Sequence, residues 1–235
     1  MRWIFYPLKC LLVGFVAMQL YFAIQIGLWT SLDPSSTAFQ RAERWRLCSW
    51  HFTCAIQSRW VPYYKISNNL KRAVLVSEDD IFFQHKGVRV EDMQKAWEKN
   101  QQQTQERMRS GVKTKTALRG GSTITQQLAK NLFLTQERTL SRKIQEVILA
   151  LWLEHKFSKD QILELYLNRV YFGGGAYGVE AATQHYFGHS AREASVSEAA
   201  VLARLMKAPS KLAPDRNPEG ATERAAQVVT AMAQE

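Results

Sequence analysis

Residues 142–156, RKIQEVILALWLEHK, carry the clearest helical pattern in the chain. Apolar residues recur there at intervals of three and four, which is the spacing of one face of an α-helix. That stripe consists of Ile144, Val147, Ile148, Leu151 and Trp152. Glu146 lies on the opposite face, among Leu149, Ala150 and Leu153. A carboxylate on an apolar face is expected to have either an ionic partner or a functional role, because burying an unpaired charge is costly. A salt bridge to Arg142, four residues earlier, is a sufficient structural explanation.

Shorter helical patterns lie on both sides of this stretch. One begins at Ser67, and three more begin where Ser or Thr is followed three residues later by Gln or Glu, the signature of a capping box. These pairs are Thr123–Gln126, Ser158–Gln161 and Ser195–Glu198. Pro209 is expected to end the helix that starts at Ser195, and a last helix is expected at 222–234. Strand-like alternation is scarce, so the sequence predicts a mainly α fold around one core.

The segment between the first of these helices and Thr123 is less regular. A helix is predicted at about 90–103. Residues 104–119 are polar, basic and poor in apolar residues, which predicts a mobile surface loop. The whole segment 98–119 is long and basic, and the sequence does not assign it a role.

The N-terminus carries a membrane-anchor pattern. A largely apolar stretch without a charged residue covers residues 10–29. About 20 residues at helical rise span about 30 Å, the thickness of the hydrocarbon core of a bilayer. The stretch is long for a signal peptide, and no small-residue cleavage site follows it. Arg2 and Lys9 precede it and, by the positive-inside rule, stay in the cytoplasm. The sequence therefore predicts a single-pass anchor in the inner membrane, with the bulk of the chain in the periplasm.

The chain divides into three predicted parts. Residues 1–30 form the cytoplasmic N-terminus and anchor, residues 31–65 an interfacial linker, and residues 66–235 one folded domain. The linker is rich in aromatic residues and arginine, which suits a membrane–water interface; a partly buried connecting segment is the alternative. Cys48 and Cys54 could pair in an oxidising compartment, although their spacing does not require it.

The charge of the chain restricts its partners. The formal net charge of +10 at pH 7 favours nucleic acid, anionic lipid headgroups or phosphate-bearing substrates. Nucleic acid is disfavoured because the domain is predicted to lie outside the cell and lacks interleaved stacking aromatics. No cysteine or histidine cluster has convincing zinc spacing, since Gly188 interrupts the pair His185 and His189. No metal site is therefore predicted from these residues.

Glu78 and Glu146 are the candidate catalytic residues. Glu78 ends an apolar helix face and opens the string EDDIFFQHKG. Phe82 and Phe83 can supply an apolar wall that raises the pKa of this carboxylate and suits it to proton transfer. Two glutamates that flank a site are what glycosidic chemistry uses.

A candidate phosphate site lies between the two glutamates in the sequence. Gly120 and Gly121 precede a helix N-terminus, where free backbone N–H groups and the helix dipole can cradle a phosphate. Downstream lie cations able to neutralise a pyrophosphate: Lys130, Arg138, Arg142 and Lys143. The alternative for each feature taken singly is a glycine turn or a solvated basic face.

Taken together, these strings resemble the peptidoglycan glycosyltransferases, especially the monofunctional, membrane-anchored form. The resemblance covers about residues 60–210 and comprises five motifs in order. Their matching residues are Glu78, Asp79, Phe82, His85 and Gly87; residues 121–127 with Lys130 and Asn131; Arg142, Lys143 and Glu146; residues 162–164, 166–168 and 172–173; and Gly178, Ala181, Ala182, Tyr186 and Phe187.

The resemblance implies a lysozyme-like helical fold and polymerisation of lipid II into glycan strands at the membrane surface. Glu78 would deprotonate the 4-hydroxyl of the acceptor sugar. Glu146 would assist the departing pyrophosphate, through a divalent metal ion (Mg or Mn) or through the basic residues. The implied donor site comprises Ser122, Gln126, Gln127, Lys130, Arg138, Arg142 and Lys143. Implied partners are lipid II, the growing glycan chain, membrane lipids, and cell-division or elongation proteins.

Two other functions compete with this one. A membrane-anchored, lysozyme-like enzyme that cleaves peptidoglycan would also use a glutamate as acid, but it needs neither a pyrophosphate-binding cluster nor an anchor. A non-enzymatic basic module that binds an anionic polymer would need neither glutamate.

Overall fold

The computed structural model describes residues 2–29, 36–51, 56–92, 94–95, 98, 101–102, 105, 109, 121–135, 139–207, 209 and 218–234. These residues form a mainly helical domain with an N-terminal helix, as predicted. The helices are α1 (Arg2–Leu28), α2 (Ala38–His51), α3 (Asn68–Glu78), α4 (Ile124–Phe133), α5 (Leu140–Lys156), α6 (Lys159–Arg169), α7 (Val179–Phe187), α8 (Val196–Leu205) and α9 (Pro218–Gln234).

The helix starts follow the local capping signals. Ser67 caps α3 by accepting a hydrogen bond from the N–H of Asn69. The three predicted capping boxes, at Thr123, Ser158 and Ser195, are all present. Each box satisfies two backbone donors that a helix N-terminus otherwise leaves unpaired. The predictions of these four helix starts are confirmed.

Helix α1 is both a candidate membrane span and part of the folded domain. Residues Lys9–Leu28 are long and apolar enough to cross a membrane, with a mean hydropathy of 1.9. The last turns nevertheless pack on the domain, because Ile26 is fully buried. The rings of Phe22 and Trp29 lie 5.4 Å and 5.0 Å from the ring of Phe133 at the end of α4. The C-terminal end of α1 therefore packs directly on the domain, beside the end of α4.

Helix α5 presents to the core the face opposite to the predicted stripe. Leu149, Ala150 and Leu153 are fully or almost fully buried, whereas Ile144 is 55% and Leu151 49% exposed. This helix has two apolar faces, and the spacing of its residues does not show which one the domain covers. The outward face lies beside α1, where Gln145 donates a hydrogen bond to the sulfur of Met18, 3.1 Å away.

The segment predicted as an interfacial linker contains a helix that the sequence reasoning missed. Helix α2 begins with a capping box in which Thr37 and Gln40 exchange hydrogen bonds of 2.8 Å and 3.0 Å. The signal Thr-x-x-Gln was present at 37–40. Helix α2 packs on α4. Farther along, Trp60 packs against the core, as expected for a partly buried connecting segment. Trp45 is 78% exposed, as expected for a linker at the membrane–water interface.

A small sheet closes the side of the domain next to α7. Its strands β1 (Gln57–Ser58), β2 (Tyr171–Gly173) and β3 (Ala176–Tyr177) have the order β1-β3-β2. Strand β3 pairs in parallel with β1 and antiparallel with β2. The turn between β2 and β3 includes Gly174 with φ +57°, a backbone conformation that favours glycine. Gly173, Gly174 and Gly175, all with positive φ, separate α6 from α7.

Several predicted boundaries change. Helix α8 ends at Leu205, four residues before Pro209, so the prediction that Pro209 ends this helix is wrong. Helix α9 begins at Pro218, four residues earlier than expected. Of the predicted loop at 104–119, the structure describes only residues 105 and 109, which are helical; the rest of the predicted loop lies outside the described residues. Cys48 is disulfide-bonded and Cys10 is free; Cys54 lies outside the described residues.

Candidate active site

Glu78, the last residue of α3, is held in a mostly buried position. Its side chain is 8% exposed. Its Oε2 accepts a hydrogen bond of 3.0 Å from the amide nitrogen of Gln127, and Lys207 Nζ lies 3.7 Å from Oε1. Among the described residues, Oε1 accepts no hydrogen bond. Burial raises the pKa of Glu78, while Lys207 and Gln127 lower it to a smaller extent. The result is a carboxylate with one oxygen anchored and the other available.

The two phenylalanines that follow Glu78 lie in different environments. Phe82 is fully buried, and Lys159 Nζ lies over its ring, 4.4 Å from the centroid. Phe83 is 54% exposed. The pKa of Glu78 is raised by burial of the carboxylate itself, as expected in direction.

A buried tyrosine orients the amide that holds Glu78. Tyr166 on α6 is fully buried, and its hydroxyl donates to Gln127 Oε1 at 2.9 Å. Because the amide oxygen of Gln127 accepts from Tyr166, its nitrogen points to Glu78. Burial raises the pKa of Tyr166 well above its usual value, and the charges of Glu78 and Asp79 add to this shift. Tyr166 therefore remains a neutral hydrogen-bond donor. The sequence reasoning matched it to a motif but gave it no role.

Asp79 joins the loop after α3 to the start of α4. Its carboxylate is buried and accepts a hydrogen bond of 3.0 Å from the backbone N–H of Ile124. His85 accepts from the N–H of Gly87 through Nδ1, so its Nε2 carries the proton and donates to Asp79 at 2.9 Å. Thr123 closes the same junction by donating to the carbonyl of Gly87 at 2.6 Å. The only sequence feature that pointed to Asp79 was its position next to the candidate base Glu78.

This junction occupies three backbone N–H groups of the predicted phosphate cradle at the N-terminus of α4, and Gly120 of that cradle lies outside the described residues. The N–H of Thr123 donates to the side chain of Gln126, and the N–H of Gln126 donates to the hydroxyl of Thr123. The N–H of Ile124 is taken by Asp79. These donors are therefore not free for a phosphate. A Cβ at Gly121 would meet the backbone oxygen of Asp92 at 2.8 Å, so this glycine permits close packing.

The basic residues of α5 connect Glu146 to Ser122. Glu146 is 2% exposed, and Arg142 Nη1 donates to its Oε2 at 2.9 Å. Lys143 Nζ donates to Glu146 Oε1 and, at 2.7 Å, to the hydroxyl of Ser122. The predicted ion pair between Arg142 and Glu146 is confirmed, with Lys143 as a second partner.

A line of hydrogen bonds runs between the two glutamates. Gln127 Nε2, which donates to Glu78, also lies 3.4 Å from the backbone oxygen of Ser122. The hydroxyl of Ser122 accepts from Lys143, which in turn holds Glu146. The fold thus brings both predicted catalytic residues to one polar site.

Two cavities adjoin this line. The first, of about 190 Å³, is lined by Glu78, Asp79, Arg89, Asp92 and residues 121–123. The second, of about 280 Å³, is lined by Gln127 and Lys130, among others. Gln126 is fully buried in its capping box, apart from both cavities. Arg138, the remaining predicted donor-site residue, lies outside the described residues.

Comparison with known proteins identifies the family. The family profile described as "Transglycosylase" matches residues 49–233. The chain is 50% identical over 210 residues to the biosynthetic peptidoglycan transglycosylase of Cupriavidus metallidurans, covering 89% of this chain and 85% of that protein. It is 48% identical over 210 residues to the protein of the same name from Ralstonia nicotianae, with the same coverage of each chain.

This chain belongs to the transglycosylase family.

Family membership confirms that the chain is a glycosyltransferase of cell-wall synthesis with a lysozyme-like, mainly α domain. The N-terminal apolar helix fits a membrane anchor, and the family is membrane-associated. The family match begins at residue 49, so most of α2 precedes it.

Proposed function

We propose that this transglycosylase polymerises lipid II into glycan strands, with Glu78 as the general base. The observation that carries the proposal is the buried carboxylate of Glu78, whose Oε1 accepts no hydrogen bond among the described residues. This oxygen takes the proton of the acceptor 4-hydroxyl. The acceptor oxygen then bonds to the anomeric carbon of the donor, and the bond from that carbon to the pyrophosphate breaks. The lipid pyrophosphate leaves with the electron pair.

The environment of Glu78 suits a general base. A base works best when its pKa lies near the working pH, and an ordinary glutamate is too acidic for that. Burial raises the pKa of Glu78 towards this range. Lys207 and Gln127 oppose the rise, because each stabilises the ionised carboxylate that accepts the proton.

The cluster on α5 suits the departing pyrophosphate. Arg142 and Lys143 carry two positive charges, and Glu146 neutralises one of them. Arg142 Nε is buried and donates no hydrogen bond within the described part of the chain. We assign Glu146 the role of holding both cations in place, because each of its oxygens already accepts a hydrogen bond from one of them. Lys130, in the second cavity, would extend this positive surface.

A divalent metal ion does not fit the residues around Glu146. Magnesium and manganese prefer several oxygen ligands. Glu146 instead has an arginine and a lysine as neighbours, which repel a cation. The described residues contain no group of three His, Cys, Asp or Glu side chains able to hold a metal. The proposed departure of the pyrophosphate therefore relies on Arg142 and Lys143.

The proposed location is the outer face of the inner membrane, where a periplasmic domain reaches lipid-linked substrate. Arg2 and Lys9 precede the apolar segment and favour a cytoplasmic N-terminus. The exposed apolar residues Ile144 and Leu151 lie on the helix that packs beside α1, which suits contact with lipid. Division or elongation proteins remain predicted partners.

The test is polymerisation of purified lipid II by the full-length protein in liposomes. Glu78→Gln keeps the shape of the side chain and removes the base, so the rate should fall by about 10²–10⁴-fold. Glu223→Gln on the exposed side of α9 makes the same chemical change away from the site and should be neutral. Polymerisation by Glu78→Gln at the normal rate would remove Glu78 from the mechanism. A wild-type protein that cleaves finished peptidoglycan but makes none would favour the competing hydrolase.

Thermal unfolding of the same variant separates loss of catalysis from loss of folding. Since the folded state raises the pKa of Glu78, the stability contributed by protonation is fully present below the unfolded-state pKa and is lost as pH rises through the folded-state pKa. At neutral pH the ionised carboxylate thus destabilises the fold. Glu78→Gln should melt no lower than the wild type at pH 7, and any advantage should shrink towards pH 4.

A further inference from the structure

Helix α2 contributes a wall of the second cavity, although most of this helix precedes the family match. Glu43 of α2 lines the cavity together with Gln127, Lys130, Tyr171 and Tyr177. The same Gln127 donates to the proposed base, Glu78. The cavity is therefore adjacent to the reacting centre, and one of its lining residues comes from the segment between α1 and the family match at residues 49–233.

Glu43 is fixed in place by its own helix. Both of its oxygens accept from Arg46, one turn later, at distances of 2.6 Å and 2.9 Å. The capping box of Thr37 and Gln40 fixes the start of this helix. The Glu43 side chain is 33% exposed, so it remains accessible from the cavity, and a carboxylate has lone pairs for more than two hydrogen bonds.

Tyr171 and Tyr177 line the same cavity as Glu43. Their rings lie 4.8 Å apart, one on β2 and the other on β3. Burial raises the pKa of Tyr177 to about 12, and the charge of Glu43 adds to this shift. The two hydroxyls and the carboxylate therefore belong to one local environment.

The composition of the cavity favours a neutral, polyhydroxylated ligand beside Glu43. The Glu43 carboxylate accepts hydrogen bonds from hydroxyl and amide N–H groups, whereas Lys130 of the same cavity offers a cation to the phosphate that the donor sugar carries. Aromatic rings supply rigid apolar surface, and the Gln127 amide supplies both a donor and an acceptor. A volume of about 280 Å³ lies at the small end of ligand pockets, which suits a single sugar ring.

We propose that Glu43 binds a sugar ring of the substrate in this cavity, so that α2 forms part of the active site. This inference rests on the proposed function, since the sugar is one that Glu78 brings into reaction. The lipid-linked monomer and the growing chain both carry such a ring, and the chemistry of recognition is the same for both.

The test is the steady-state kinetics of Glu43→Ala and Glu43→Gln in the full-length protein. One series varies the lipid II monomer at a fixed concentration of a short lipid-linked glycan primer, and the other varies the primer. Loss of a hydrogen bond to a charged group should raise KM in one series by about tenfold or more. The series affected identifies the source of the sugar. Glu43→Gln retains an acceptor oxygen and should recover part of the loss.

A control variant and the outcomes for Glu43→Ala make the result decisive. Arg44→Ala, at an exposed position of the same helix, should leave both KM values unchanged. Unchanged KM values in Glu43→Ala would overturn the proposal, as would a faster rate, which would make α2 an obstruction. A fall in kcat with a shifted pH profile would also overturn it, because Glu43 would then act through Glu78. Activity lost on Glu78→Gln but unaffected by Glu43→Ala would leave the proposed function intact.

Discussion

Replacing Tyr166 by phenylalanine removes one hydroxyl group from the centre of the site. This hydroxyl is the donor that fixes the amide of Gln127, and that amide holds Glu78. Since Tyr166 is fully buried, the change should leave the ring packing as it is. The variant therefore tests the hydrogen-bond line apart from the shape of the core.

The expected loss of stability follows from the acceptor that is left behind. Without the hydroxyl, Gln127 Oε1 loses its 2.9 Å hydrogen bond in a part-buried position. An unsatisfied buried acceptor costs about 1–3 kcal/mol. For a domain of this size, each kcal/mol lowers the Tm by roughly 2–4 °C. We expect Tyr166→Phe to be folded but measurably less stable.

The expected change in activity has a definite sign. The hydrogen bond from Gln127 lowers the pKa of Glu78 and opposes the effect of burial. When Tyr166 no longer orients the amide, this bond weakens and the pKa of Glu78 rises further. The protonated carboxyl cannot act as a base, so the acidic limb of the kcat/KM profile should move to higher pH. The plateau at alkaline pH should be largely preserved.

The assay is polymerisation of lipid II as a function of pH, together with thermal melting. Tyr64→Phe removes the same group from a side chain that is 78% exposed and should change neither result. An unchanged acidic limb in Tyr166→Phe would refute the orienting role of the tyrosine. A plateau that falls as far as it does in Glu78→Gln would show instead that the hydroxyl takes part directly in the reaction.

Two further predictions concern the fold and its orientation. Asn168 is 1% exposed and binds both the N–H and the carbonyl of Val61, at 2.8 Å and 2.9 Å. Asn168→Ala should therefore lower the free energy of unfolding by at least about 1–3 kcal/mol, and chemical denaturation that shows no loss would contradict this. Protease added to intact spheroplasts should digest the domain, whereas digestion only after lysis would place the domain in the cytoplasm.

Much of the fold follows from local signals in the sequence. A capping box joins a side chain to a backbone group three residues away, so the starts of α4, α6 and α8 could be predicted without knowledge of the tertiary structure. The same signal at 37–40 would have revealed α2. Helix ends were predicted less well, because α8 ends before Pro209 without a comparably specific signal at that point.

The candidate site was predictable in its residues but not in its contacts. Glu78, Ser122, Lys143 and Glu146 were singled out from the sequence, and the fold connects them by hydrogen bonds. The expected phosphate cradle loses the N–H of Ile124, because Asp79 reaches this group from 45 residues earlier in the chain. No local pattern encodes a contact of that separation.

The sequence by itself determined the apolar length of the anchor, the helical periods, the capping boxes and the identity of the glutamates and cations. Each of these depends on residues a few positions apart. Tertiary structure decided which face of α5 is buried, which group accepts from the N–H of Ile124 in α4, and that Glu43 and Tyr177 line one cavity. Those outcomes depend on how distant elements pack. Either apolar face of a helix can be buried, and a backbone N–H can donate to any acceptor, so the fold as a whole selects the partner of each.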